Sequence, residues 1–212
     1  MKEWIKKNKK VLLSSTVVAT IIAGCFNVFV VLLKQPSVPF DIIAMNQDIH
    51  PDSPNHKYLL AQQYETQGKR KKALQLYEES AEEYLRTNGP ASIDRANALF
   101  QASICCPIMF HTKKVLELST ASLTIYLESP EGNESFIMGN YVIIGGTHCV
   151  RWNTKQGFKW LIKAYQVAIE TSGADDEMTE DIYDVIKGFY YSSFQIFSFV
   201  SFDKWLAAQL AS

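Results

Sequence analysis

Residues 59–80 read LLAQQYETQGKRKKALQLYEES. On both sides of Gln67-Gly68 the apolar and small residues recur at helical spacing. Leu60, Ala61 and Tyr64 share one face before it; Ala73, Leu74 and Tyr77 share one after it, continued by Ala81 and Tyr84. A glycine just past the last periodic residue is a helix stop, because it alone takes the left-handed conformation without strain. The stretch therefore predicts two helices joined by a short turn, an antiparallel hairpin. Ser53-Pro54 supplies the start of the first helix, the serine as cap and the proline in the first turn. The second helix runs over about 70–86, and Asn88-Gly89-Pro90 ends it.

Outward from this hairpin the period stays helical. A helix over about 91–106 stops before Pro107, and one over about 111–127 stops at Ser129-Pro130. A third pair covers about 135–152 and 155–171, with Gly173 as terminator. Asp175, Asp176, Glu177 and Thr179 open a last segment dense in aromatics, which Ser201 or Asp203 divides into two helices. Its serines and Gln195 make it too polar and too short to span a bilayer. The expected fold is all-α, with hairpins over 53–174 and a C-terminal helical cap over 175–212.

Hairpins in series suggest an internal repeat. In the first, the order Leu60, Ala61, Tyr64, Gly68, Ala73, Tyr77, Ser80 resembles a tetratricopeptide repeat. The second fits weakly, through Leu99, Ala102, Ser103, Val115 and Ser122, with Cys106 and Ser119 in the aromatic slots. The third fits through Cys149, Trp152, Leu161, Tyr165 and Ala168. Taking Ala73, Val115 and Leu161 as equivalent gives steps of 42 and 46 residues, against a usual 34 in that family. The resemblance covers about residues 54–171. It implies an α-solenoid and a peptide-binding groove lined by the first helix of each hairpin. Carried over by position, the groove residues are Asn55, Tyr58, Gln62 and Glu65, then Asn97, Phe100 and Ile104, then Ile143, Gly146 and Val150. Tyr58 and Gln62 replace the lysine and asparagine clamp that family members use on carboxylate tails. An amphipathic helix is the expected partner, unless the aromatic C-terminus fills the groove as a solenoid cap.

The N-terminal block is of another kind. Residues 11–33, VLLSSTVVATIIAGCFNVFVVLL, carry no formal charge. As a helix they reach roughly 35 Å, enough for a hydrocarbon core of about 30 Å. Lysines bracket the block, at 6, 7, 9 and 10 on one side and 34 on the other. It reads as an uncleaved single-pass anchor following a basic tip over 1–10 and preceding a proline-broken linker over 34–52. The lysine bias puts the N-terminus on the cytosolic or matrix side. Ala23, Gly24 and Asn27 are the positions that would address a partner membrane helix. Its rivals are a cleaved signal peptide, whose apolar region would be unusually long, with a lipoprotein as its variant, and a buried core helix, against which the flanking lysines and the lack of polar periodicity argue. Ile22-Ala23-Gly24-Cys25 resembles a bacterial lipobox, in which the cysteine is lipidated after cleavage.

From residue 35 onward there are 15 Lys and Arg against 21 Asp and Glu, a balance of −6. That net acidity disfavours nucleic acid and anionic lipid as main ligands. Lys69-Arg70-Lys71-Lys72 is a basic run in the first inter-helix turn, read as a solvated turn or as a dock for an acidic partner. Catalytic motifs are weak. Gly139, Gly145 and Gly146 make neither a dinucleotide fingerprint nor a P-loop. Four cysteines (25, 105, 106 and 149) show no CxxC spacing, so no metal or cofactor is expected. Cys149 could pair with Cys105 or Cys106 in an oxidising compartment. His148-Cys149 are helix neighbours pointing about 100° apart, a poor catalytic pair. Asn133-Glu134-Ser135 is a glycosylation sequon that matters only in a secretory lumen.

The expectation is a non-enzymatic, membrane-anchored adaptor that binds a protein partner, with Tyr58, Gln62, Glu65, Asn97, Phe100 and Ile104 as its contact surface. Its layout is similar to anchored tetratricopeptide adaptors and assembly factors of mitochondrial and bacterial membranes. The mitochondrial inner membrane is favoured, with the ER or a bacterial inner membrane as alternatives. The runner-up is an accessory subunit whose aromatic C-terminus packs permanently on a larger membrane complex.

Overall fold

The computed structural model describes residues 53–192 and 201–211. The anchor block 11–33, with Ala23, Gly24, Cys25 and Asn27, lies outside the described residues, as do the tip and the linker to residue 52. No helix of the described residues is long and apolar enough to cross a membrane.

All regular structure among the described residues is helical. The elements are α1 (Pro54–Thr66), α2 (Arg70–Asn88), α3 (Ile93–Cys105), α4 (Thr112–Glu128), α5 (Glu134–Val150), α6 (Thr154–Ser172), α7 (Glu177–Ser192) and α8 (Phe202–Leu210). Consecutive helices are joined by short turns and pack on one another from α1 through α7; α8 folds back on α6 and α7. Short connections force antiparallel neighbours, so the turns after α1, α3 and α5 gather at one edge of the stack and the turns after α2, α4 and α6 at the other.

Local chemistry explains the boundaries. Ser53 Oγ accepts from the His56 amide at 3.1 Å, with proline in the first turn of α1. Gly68, at φ 71°, ends α1 through two backbone bonds, Gly68 N to Glu65 O and Lys69 N to Tyr64 O, both 2.8 Å. This is the reciprocal pair that closes a helix on a left-handed residue. Ser92 Oγ caps α3, and Asp176 Oδ1 accepts from the Met178 amide at the head of α7.

The hairpins repeat with a step of 42 residues. Tyr84 donates its hydroxyl to Asn55 Oδ1, and Tyr126 donates to Asn97 Oδ1. Ser80 Oγ donates to Pro54 O at 2.8 Å, and Ser122 Oγ donates to Ala96 O at 3.0 Å. Each bond of the second hairpin is its counterpart in the first moved on by 42 residues. The same step carries the buried pair Ala61 and Ala73 to Ser103 and Val115, and then to Gly145 and Gly157. The third equivalent of Ala73 is therefore Gly157 and not Leu161, which lies one helical turn further on. The step is uniform, and the 46-residue interval is a register error. It arose because glycine contributes nothing to a hydrophobic pattern.

The core runs along the stack. Tyr77, Phe100, Tyr126, Leu161, Ile182 and Phe189 are fully or almost fully buried. Phe136 links two hairpins, stacked on Tyr126 at 5.1 Å and edge-on to Phe100 at 5.5 Å between ring centroids. At the C-terminal end Trp205 sits 4.9 Å from both Phe158 and Tyr190, and Tyr183 donates to Asp203 at 2.6 Å.

Candidate protein-binding surface

The six residues expected to form the contact surface are largely engaged inside the chain. Tyr58 is buried edge-on to Tyr77 at 5.3 Å, and burial pushes its hydroxyl above the usual tyrosine range. Phe100 has no exposed surface, and Ile104 is buried while its carbonyl accepts from Arg70 Nη2 at 2.5 Å. Glu65 is half-buried and accepts from the Tyr77 hydroxyl at 2.8 Å; Asn97 is half-buried and accepts from Tyr126. Gln62 is also half-buried. In the third hairpin Ile143 and Gly146 are buried and Val150 is half-buried. The helices α1, α3 and α5 thus spend these positions on packing. The C-terminal helices do not seal them: the main contacts of α7 and α8 are with α6 and with each other.

The cysteines play packing roles. Cys105 and Cys106 are buried free thiols, and Cys149 is buried as well. Burial first, then the Glu65 carboxylate, pushes the Cys105 thiol from its ordinary 9.0 up to about 12, against the opposing pull of Arg70. Cys149 fills the notch left by Gly157, where a Cβ would stand 2.3 Å from its sulfur. His148 is half-buried, and burial together with Arg151 lowers its pKa. Among the described residues no three His, Cys, Asp or Glu side chains converge as metal ligands.

A surface depression of about 500 Å³ opens instead between α3 and α4. Leu99, Phe110, Leu118 and Ala121 supply apolar lining; Glu78, Lys113, Lys114 and Glu117 supply charge. Lys114 is held to Glu78 of α2 at 2.7 Å, and Lys113 lies 3.7 Å from Glu117 one turn along α4, so the charges at the mouth are paired. Phe110 is 84 % exposed, and Met109 beside it is 47 % exposed. A second exposed aromatic, Trp152, ends α5. It is 56 % exposed and, at φ 62°, the one residue other than glycine with positive φ among the described residues. Its amide bonds Cys149 O at 3.0 Å and Asn153 N bonds His148 O at 2.9 Å, the same closure that Gly68 makes in the first hairpin. A tryptophan therefore holds a glycine conformation.

Comparisons with family models, with curated proteins and with solved structures give no match. The functional reading rests on the chain's own chemistry. The sequence reading passed over Phe110 and took Trp152 for a repeat position of the third hairpin rather than an exposed ring, although a signal existed for each. Ile108-Met109-Phe110 is an apolar run inside a turn, and Trp152 stands two 42-residue steps beyond Gly68.

Proposed function

We propose that this protein is a non-enzymatic adaptor, held at a membrane through residues 11–33, whose helical repeats bind a protein partner. The observation that carries the reading is the depression between α3 and α4. It offers an apolar lining for one or two large side chains and opposite charges that can meet polar groups flanking them, which suits an amphipathic segment of another protein. The tetratricopeptide-like hairpin supports the same reading, as such stacks serve as scaffolds for recognition. The aromatics of α7 and α8 are engaged with each other and with α6, Tyr191 remaining the more exposed. This favours an adaptor over an accessory subunit that would use them as its permanent seat. An anchor helix that meets a partner helix through Ala23, Gly24 and Asn27 is part of the proposal, and the partner is then a component of a membrane complex.

The test is site-specific photocrosslinking of the full chain in its native membranes. A photoreactive residue at Leu118 or Ala121 should give a discrete adduct of defined mass, whereas one at exposed Thr124, one helical turn away, should not. Absence of any adduct at 118 and 121, with an adduct at Gln62, would return the contact to the helix faces first expected and overturn the assignment to the depression.

A further inference from the structure

The two edges of the stack differ in charge and in exposed apolar surface. At the edge holding the turns after α1, α3 and α5, residues 66–73 contain four basic side chains and no acid (Lys69, Arg70, Lys71, Lys72). Residues 107–114 add Lys113 and Lys114, which lie against Glu117 and Glu78, and residues 148–159 add Arg151, Lys155 and Lys159 without an acid. At the opposite edge the turn after α2 is mixed, with Arg86, Asp94 and Arg95, while residues 128–134 carry Glu128, Glu131 and Glu134, residues 170–181 carry six acids, and neither of these two stretches has a base. The net charge of −6 is thus an average over two poles, and the conclusion that acidity disfavours anionic lipid does not apply to the basic pole.

The exposed rings stand at that same basic pole. Phe110 and Trp152 are the residues that 42-residue steps place at the position of Gly68, and Met109 accompanies them. A bulky residue in the left-handed region costs free energy that a glycine would avoid, and as an exposed side chain Trp152 recovers little of it within the fold. Aromatic rings flanked by lysines are the side-chain set that partitions into the headgroup layer of a membrane, with the ring among the glycerol groups and the cations on the phosphates. We infer that the edge formed by the turns after α1, α3 and α5 seats on an anionic lipid surface, with Phe110 and Trp152 entering the interface and the basic turns holding the headgroups. Phe110, Lys113 and Lys114 also line the partner depression, so this seat brings the mouth of the depression next to the bilayer.

The experiment uses the full chain with Cys25→Ser, reconstituted into vesicles of phosphatidylcholine alone or with about one-third phosphatidylserine. Cys105, Cys106 and Cys149 are buried, so an environment-sensitive thiol probe can be placed by Phe110→Cys, by Trp152→Cys, or, at the acidic edge, by Leu127→Cys, a residue 50 % exposed. The probe at 110 and at 152 should shift to the blue and be quenched by spin-labelled lipid only when phosphatidylserine is present, and the probe at 127 should remain in water. Lys71→Glu or Lys155→Glu should each weaken that docking by about fivefold or more. Equal responses at 110, 152 and 127, or responses indifferent to phosphatidylserine, would overturn the inference. So would shielding of 110 and 152 by added single-stranded oligonucleotide, or by a co-purifying protein, without lipid quenching.

Discussion

Gly145 and Gly157 face each other across α5 and α6 so closely that a Cβ on either would lie 2.9 Å from the other's carbonyl oxygen. Backbone cannot retreat from such a contact as a flexible side chain can. Gly157→Ala should therefore lower the unfolding free energy by about 1–3 kcal/mol. Chemical denaturation is the measurement. Adding Cys149→Ala should recover only part of the loss, since it clears the sulfur at 2.3 Å and leaves the carbonyl in place.

The hydroxyl of Tyr126 is the second case. Its ring is fully buried and its oxygen donates to Asn97. Tyr126→Phe keeps the packing and removes one hydrogen bond, so the expected cost is about 0.5–1.5 kcal/mol. Tyr84→Phe, its counterpart one repeat earlier, should cost a similar amount. A far larger loss at one site than at the other in equilibrium unfolding would mean that the two hairpins are not built alike.

Trp152 gives a prediction of opposite sign. Trp152→Gly relieves the left-handed strain and sheds an exposed ring, so stability should rise by up to about 1 kcal/mol, less the flexibility glycine adds to the unfolded chain. Trp152→Ala keeps the strain and should not stabilise. Thermal unfolding of the two variants side by side separates the conformational effect from loss of the ring.

The Cys105 thiol sets an alkaline limit. It ionises near 9.0 when unfolded and near 12 in the fold. Between these values the folded chain keeps a proton that the unfolded chain has released, so this contribution is complete below pH 9 and is lost as pH rises toward 12. Stability measured from about pH 7 to about pH 10.5 should fall at the alkaline end, and Cys105→Ala should flatten the first part of that fall. The buried tyrosines act in the same direction at higher pH, since burial raises Tyr77, Tyr126, Tyr58 and Tyr84 as well. An unchanged slope in the variant would remove Cys105 from the account.

Helix identity was legible in the sequence wherever caps and period agreed. Ser53-Pro54, Gly68, Gly89 and Gly173 mark ends within a residue or two of those observed, and the helix expected over about 155–171 is Thr154–Ser172. The repeat register of the third hairpin was not legible, because its signal is two glycines meeting and a pattern of apolar residues passes over them. The burial of groove positions such as Tyr58, Phe100 and Ile104 was not legible for a related reason. One-face periodicity tells that α3 buries a face, but nine of its thirteen residues are buried, from both sides, by α2, α4 and α5. That depends on neighbours far away in the chain.

The 42-residue step has a geometric corollary. Two helices at the usual interaxial spacing of 8–10 Å carry successive equivalent turns roughly 20 Å apart. Phe110 and Trp152 are then two feet one repeat apart, and the Lys69–Lys72 turn lies a further repeat along the stack. A body resting on points in a row is fixed in pitch along the row and free to roll about it. The long axis of the stack would lie parallel to whatever the feet touch, and the mouth between α3 and α4 could still turn toward a partner arriving from the side.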